Sequence, residues 1–230
     1  MVIVVKQLHQ VQTVKKVKMT LIKSISGIRG TLENIPGESL SDYDIKQFTL
    51  AYHQEVISAY KNQVVVLGRD ARKSGEHIMG IVSETLINEG CDIIDIGLVT
   101  TPTLGVCTKK LNASGGIMIS ASHNDEKWNA LKLLNNKGEF LSPDNVALII
   151  KDIKRSSYPS TKGKITQYDK ALADHIDLVL SQKEVSKNII SSRLFSVAVD
   201  GINSVGGIAI PEFLNKLGIE NIKKINCIPD

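Results

Sequence analysis

The sequence predicts an α/β fold: a three-layer α/β/α domain with a mostly parallel mixed sheet, followed by an incomplete second α/β domain. Three observations lead there. Apolar runs at 64–67, 93–96 and 116–119 alternate with helical stripes, and a β-α-β-α-β order implies a parallel sheet covered by helices on both faces. A stretch rich in Ser, Pro and Gly at 156–163 then breaks the pattern. Beyond it stand one clear strand and two helices, too little to bury a sheet on both faces.

Each element has its own signal. Ile45, Phe48, Tyr52, Val56 and Tyr60 recur at helical spacing after Ser41, and Asn62 marks the end of that segment. The strand at 64–67 runs into a polar turn at 68–74. A second helix follows with Ile78, Ile81, Val82 and Leu86 on one face and Gly90 as its stop. The strand at 93–96, a short helix at 103–111, the strand at 116–119 and another at 131–134 come next. Residues 135–138 read as a turn, and Ser142 with Pro143 as the N-cap and first position of a helix running to about Arg155. After the boundary, 170–180 is a helix, 194–199 a strand, and 200–207 a loop entering a further helix. The expected division is a basic, disordered extension at 1–18, a first domain at 19–165 and an incomplete second domain at 166–230. Met19 is an alternative start.

Composition excludes several function classes. With 42% apolar and 23% charged residues the chain is an ordinary globular protein. Its formal charge of +4 comes from Lys6, Lys15, Lys16 and Lys18, ahead of a neutral body, and no aromatics interleave these lysines as stacking on bases requires. Nucleic acid is therefore not an expected partner. No apolar run has the length of a membrane span, and residues 2–5 are too short for a signal-peptide core, so a cytoplasmic location is expected and no membrane partner. Cys91, Cys107 and Cys227 form no CxxC pair and no cysteine and histidine cluster, which points to free thiols in or near the core and a reducing compartment.

Chemistry concentrates at 120–132. Ligands in open α/β sheets bind at the carboxyl edge of the strands, and Ser122 follows the strand at 116–119 directly. A serine that carries a phosphoryl group needs donors for its oxygens and a group to move protons, and His123, Asn124 and Lys132 are the residues at hand. Lys132 would act as a base if its pKa is lowered and as a cation if it is not. A serine-hydrolase elbow, Gly-x-Ser-x-Gly, is not expected, because Ala121 and His123 flank Ser122 and no such glycines stand beside it. Arg69, Asp70 and Arg72 read as an ion-pair network fixing a strand-to-helix turn, residues 100–103 as the floor of a loop, and the loop from Asp200 as architecture.

These residues resemble the α-D-phosphohexomutase family. Ser120-Ala121-Ser122-His123-Asn124, followed by Trp128-Asn129-Ala130-Leu131-Lys132, matches its serine signature. Four further motifs fall in the family's order: Ser26 to Thr31, Gly68 to Arg72, Thr100 to Thr103, and Asp200 to Gly207. The resemblance covers residues 19–230. It implies that Ser122 is a phosphoserine that donates to a hexose monophosphate and is recharged from the hexose bisphosphate intermediate, which also serves as activator. It further implies that His123 and Asn124 hold the phosphoryl oxygens, that Lys132 is the general acid or base, and that Arg29, between Gly27 and Gly30, supplies positive charge. Residues 127–134 look most like phosphoglucosamine mutase-type sequences, with phosphoglucomutase or phosphomannomutase as the alternative hexose specificity, and a non-catalytic phosphate-binding fragment as a second class of function.

Two departures stand out. The family carries Pro where this chain has Asp125, which removes rigidity and adds negative charge beside the serine. The family also binds Mg²⁺ through an acidic loop whose coordination the phosphate on Ser122 completes, and no such loop occurs in this sequence. The expectation is a truncated chain, inactive as a mutase by itself, with its oligomeric state left open.

Overall fold

The computed structural model describes residues 19–151, 156 and 159–229. The expected disordered extension at 1–18 and the end of the helix expected to reach Arg155 lie outside the described residues. Seven strands form the main sheet: β1 Ile22–Ser24, β2 Gly27–Thr31, β3 Val64–Arg69, β4 Asp92–Leu98, β5 Gly115–Ile119, β6 Trp128–Leu134 and β7 Ile165–Gln167. Their order is β1-β2-β6-β5-β3-β4-β7. The half from β5 to β7 is parallel, while β1, β2 and β6 extend it by antiparallel pairing.

Two core layers follow from the period of two along each strand. Val65, Leu67, Ile117 and Ile119 face helices α1 Asp42–Tyr52, α2 Gly75–Asn88 and α4 Pro143–Lys151, packing against Ile45, Ile78, Leu86 and Ile149. Val66 and Met118 face the other way, toward α3 Thr101–Lys110 and α5 Ala171–Leu180, and meet Leu104, Cys107 and Ala171. The three-layer fold is thus present. Ser41 caps α1 by accepting the Asp44 N–H at 3.2 Å, and Gly90 takes the left-handed conformation, φ 87°, just after α2.

Where the structure departs from the sequence reading, the causes are local. The stripe ending at Tyr60 is not one α-helix, because a π turn at His53–Ile57 continues α1, closed by the Ser58 N–H on the His53 carbonyl at 2.8 Å. The wider turn buries both Val56 and Ile57. Strands β1 and β2 go beyond the sequence reading, being short and separated only by the turn at Ile25 and Ser26. The first sheet also passes the expected division at 165/166, since Ile165, Thr166 and Gln167 pair with Ile93, Ile94 and Asp95. Helix α5 stays with that sheet too: Lys110 contacts Asp174 at 2.5 Å, and His175 Nδ1 lies 2.9 Å from Thr103 Oγ1.

The remaining elements are α6 Lys187–Ser192, β8 Ser196–Asp200, α7 Gly206–Lys216 and β9 Asn221–Ile225. β8 and β9 pair in parallel as a sheet of two strands. All three thiols are free, with Cys91 and Cys107 buried and Cys227 half-buried. Burial pushes Cys91 up to about 12 and Cys107 up to about 11, so neither is a nucleophile at neutral pH. No helix among the described residues is long and apolar enough to cross a membrane.

One close approach constrains the packing. A Cβ on Gly105 of α3 would sit 2.7 Å from the carbonyl oxygen of Gly138 in the β6 turn, whereas a Cβ on Gly80 of α2 would meet nothing within 4 Å. Alanine at an open helical glycine gains about 1 kcal/mol. Gly80→Ala is therefore expected to raise the thermal midpoint by about 2–4 °C, while Gly105→Ala lowers it by at least as much. Calorimetry of the two variants checks the opposite signs.

Candidate active site

The parallel strands bring two loops to one edge. Register sets Arg69 of β3 beside Ile119 of β5, and the Asp70 N–H then donates to the Ile119 carbonyl at 3.1 Å. The loop after β3 therefore runs beside the loop after β5, which carries Ser122. Ser122 is exposed and its φ is 57°, in the left-handed region. For a residue other than glycine that conformation costs about 1–3 kcal/mol, so the surroundings must hold it. Ser120 contributes, its Oγ accepting the Ser122 N–H at 3.1 Å.

Arg72 contributes most. Its Nη1 donates to the carbonyls of Asp125 at 2.6 Å and Trp128 at 3.1 Å, and its Nη2 to those of Ser122 at 3.0 Å and Asn124 at 2.5 Å. Its Nε lies 3.3 Å from Asp70 Oδ2, while Asp70 Oδ1 accepts the Arg72 backbone N–H at 3.1 Å. A hydrogen bond from a charged donor contributes about 1.5–3 kcal/mol, so this set outweighs the strain at Ser122. Of the expected Arg69, Asp70 and Arg72 network, Asp70 and Arg72 pair while Arg69 pairs with Glu76 at 2.7 Å instead, and the larger role of Arg72 is to hold the serine loop.

Asp125 restores part of the rigidity that a proline would give. Its Oδ1 accepts the Lys127 N–H at 3.0 Å, a turn closed by a side chain. Asn129, fully buried in β6, fixes the loop's exit: its Nδ2 donates to Ser74 Oγ at 2.8 Å, just ahead of α2.

Both loops line a cleft of about 590 Å³, to which Asp70, Arg72, Ser122 and Asn124 contribute. The facing wall is Ile202, Asn203 and Ser204. The loop from Asp200 is thus part of the cleft as well as architecture. It is itself fixed, with Asp200 Oδ1 accepting the Ile202 N–H at 2.9 Å and the Asn226 carbonyl accepting the Asn203 N–H at 2.7 Å. Ser204 Oγ accepts the Ala71 N–H at 3.4 Å and ties the two walls together.

The other candidate residues lie around this cleft rather than in its lining. His123 is exposed on the serine loop. Arg29 is half-buried on β2 and Lys132 half-buried on β6. Arg29 pairs with Ala130, two residues before Lys132, so both side chains stand on one face of the β2/β6 ribbon. Burial lowers the Lys132 pKa, and the charge of Asp70 opposes that shift. Two buried polar atoms near this edge lack hydrogen-bond partners among the described residues: Arg29 Nε, a donor suited to an anion's oxygen, and Asn124 Oδ1. Ser120, Arg72, Asn129 and Ser204 also belong to the site; the sequence places them in motifs without marking them as candidate site residues.

Among the described residues no three His, Cys, Asp or Glu side chains gather around a common point. Magnesium requires close to six oxygen ligands, of which Ser122 could supply one through its phosphate. The described residues do not form a magnesium site by themselves.

The family described as phosphoglucomutase/phosphomannomutase, alpha/beta/alpha domain I, matches residues 21–159. A phosphoglucosamine mutase from Methanococcus aeolicus is 40% identical over 67% of this chain and 33% of its own length. A phosphoglucomutase/phosphomannomutase from Thermococcus kodakarensis is 32% identical over 73% of this chain and 37% of its own. The chain thus spans about a third of the length of these curated relatives. In fold it is similar to a phosphoglucomutase/phosphomannomutase family protein from Burkholderia thailandensis, with a TM-score of 0.72 at 23% identity, covering 91% of this chain and 45% of that one. Because the family match runs through both loops of the cleft, from β1 past α4, this chain belongs to the phosphoglucomutase/phosphomannomutase family and carries its α/β/α domain I.

Proposed function

We propose that this chain carries the phosphoryl-transferring serine of a hexose-phosphate mutase, an isomerase that interconverts hexose 1-phosphate and hexose 6-phosphate. The observation that carries the reading is Ser122 itself: an exposed hydroxyl on a left-handed turn, held at the carboxyl edge of the sheet inside a cleft. Phosphoryl transfer depends mainly on positioning and on cations around the moving group, and this chain supplies both.

In the proposed step, the bond between phosphorus and Ser122 Oγ breaks as a hydroxyl oxygen of the sugar monophosphate bonds to phosphorus. The hydroxyl proton passes to Lys132, whose burial enlarges its neutral fraction, and from Lys132 to the departing Ser122 Oγ, which leaves as a hydroxyl. The hexose bisphosphate then turns over and returns its other phosphoryl group to Ser122, so the net result is isomerisation. Arg29 supplies positive charge beside the transferring group, and His123 and Asn124 hold the phosphoryl oxygens. Glucosamine phosphate is the favoured hexose, because a relative named phosphoglucosamine mutase shares 40% identity; the relative from Thermococcus kodakarensis supports glucose or mannose phosphate as the alternative.

Intact-mass measurement after exposure to glucose 1,6-bisphosphate tests the reading. Wild type is expected to gain one phosphoryl group and Ser122→Ala none; an unphosphorylated wild type would leave only a phosphate-binding fragment. The phosphorylated chain is expected to pass its group to glucosamine 1-phosphate faster than to glucose 1-phosphate or mannose 1-phosphate, and equal rates would remove the glucosamine preference.

Lys132 gives a prediction with a definite sign. Its folded-state pKa lies below the ordinary lysine value of 10.5, so the unfolded chain binds more protons between the two values and stability rises with pH across that window. Lys132→Met removes the cost of a buried charge. It is expected to be more stable than wild type at pH 7, with the difference shrinking toward pH 10.5, while phosphoryl uptake falls about 100-fold. Thermal midpoints across pH, with uptake rates at pH 7, check both halves.

A further inference from the structure

We propose that Arg72 is a positioning residue for phosphoryl transfer, an internal strut that sets the pose of Ser122 and never touches the substrate. The role rests on the phosphoserine reading above. Its basis is a count of donors. A guanidinium has five N–H groups and no acceptor. Four of them are committed to the carbonyls of Ser122, Asn124, Asp125 and Trp128, and the Nε hydrogen faces Asp70. None remains for a phosphate oxygen, although the side chain lies in the cleft wall. An arginine that bound substrate would show the reverse, with donors directed into the open space.

Those four carbonyls span the whole serine loop, from the strained residue to the start of β6. A single rigid, planar group therefore fixes both ends of the loop relative to each other. Lysine could not replace it, since three donors on one nitrogen cannot reach four carbonyls spread across the fork. Asp70 completes the strut. It anchors Nε and the Arg72 backbone N–H while its own backbone N–H is tied to Ile119, so the strut stands on the β3/β5 pairing rather than on a mobile loop. The side chains of Arg72 and Asp70 are 15% and 14% exposed, which keeps the pair in place against competition from water.

The test compares wild type with Arg72→Lys, Arg72→Ala and Asp70→Asn in the full chain. Amide hydrogen exchange is expected to speed up at least tenfold across 121–128 in both Arg72 variants, with the amides of β3 and β5 unchanged. Phosphoryl uptake from glucose 1,6-bisphosphate, followed by intact mass, is expected to slow about 100-fold, the scale on which a misplacement of about 1 Å acts. Binding of the bisphosphate, measured by calorimetry, should change less than threefold, and added guanidinium should restore part of the uptake rate to Arg72→Ala alone. If the Arg72 variants do not fold, Asp70→Asn decides, with an expected tenfold slowing and faster exchange confined to the same loop. Unchanged exchange, an Arg72→Lys variant as fast as wild type, or a loss confined to bisphosphate affinity overturns the strut. A wild-type chain that gains no phosphoryl group overturns the phosphoserine reading, and with it the role of Arg72 in transfer.

Discussion

Parallel pairing of β3 with β5 ends both strands at one edge, with Arg69 beside Ile119, and the site depends on that pairing. Helices on both faces of these strands leave the carboxyl edge as the place where their loops can meet. The loop after β3 needs no chemistry of its own to be useful there; it has only to bring Asp70 and Arg72 beneath the serine loop. Everything nearer the chemistry, from the left-handed Ser122 to the buried amide of Asn129, is held against that support.

The edge also concentrates costs. A left-handed serine, a lysine shifted by burial and two polar atoms without partners all lie at or beside one end of the sheet. None of the side chains in the two core layers belongs to a left-handed residue. Stability built in the layers can therefore tolerate strain at the edge, which is the usual distribution where a loop must present a reactive group.

Much of this is legible in the sequence itself. The central strands are continuous apolar runs and the helices carry clear stripes, so β3, β4, β5, α2 and α3 could be read directly from residue spacing. Short strands were harder, because β1, β2 and β7 are three to five residues long and take their identity from pairing rather than from pattern. The π turn after Tyr52 escaped for a related reason, since a 3.6-residue stripe contains no sign of a wider turn. At the site, Ser122 announced itself by position and Lys132 by spacing. Arg72 did not, because its partners are carbonyl oxygens some 50 residues away, and backbone acceptors leave no mark on a sequence. Its neighbour Asp70 suggested an ion pair, which is real but is the lesser part of what the arginine does.

The three thiols differ in a way that makes the chain convenient to probe. Cys91 and Cys107 are buried and held in the protonated form, whereas Cys227 is half-exposed. Cys227 follows Asn226, whose carbonyl fixes Asn203, and its backbone lies against Gly207. A maleimide dye added at neutral pH would thus attach next to the wall of the cleft that faces Ser122, without any engineered cysteine. Its emission would follow movement of that wall as sugar phosphates enter, giving an optical record of occupancy separate from any measurement of turnover.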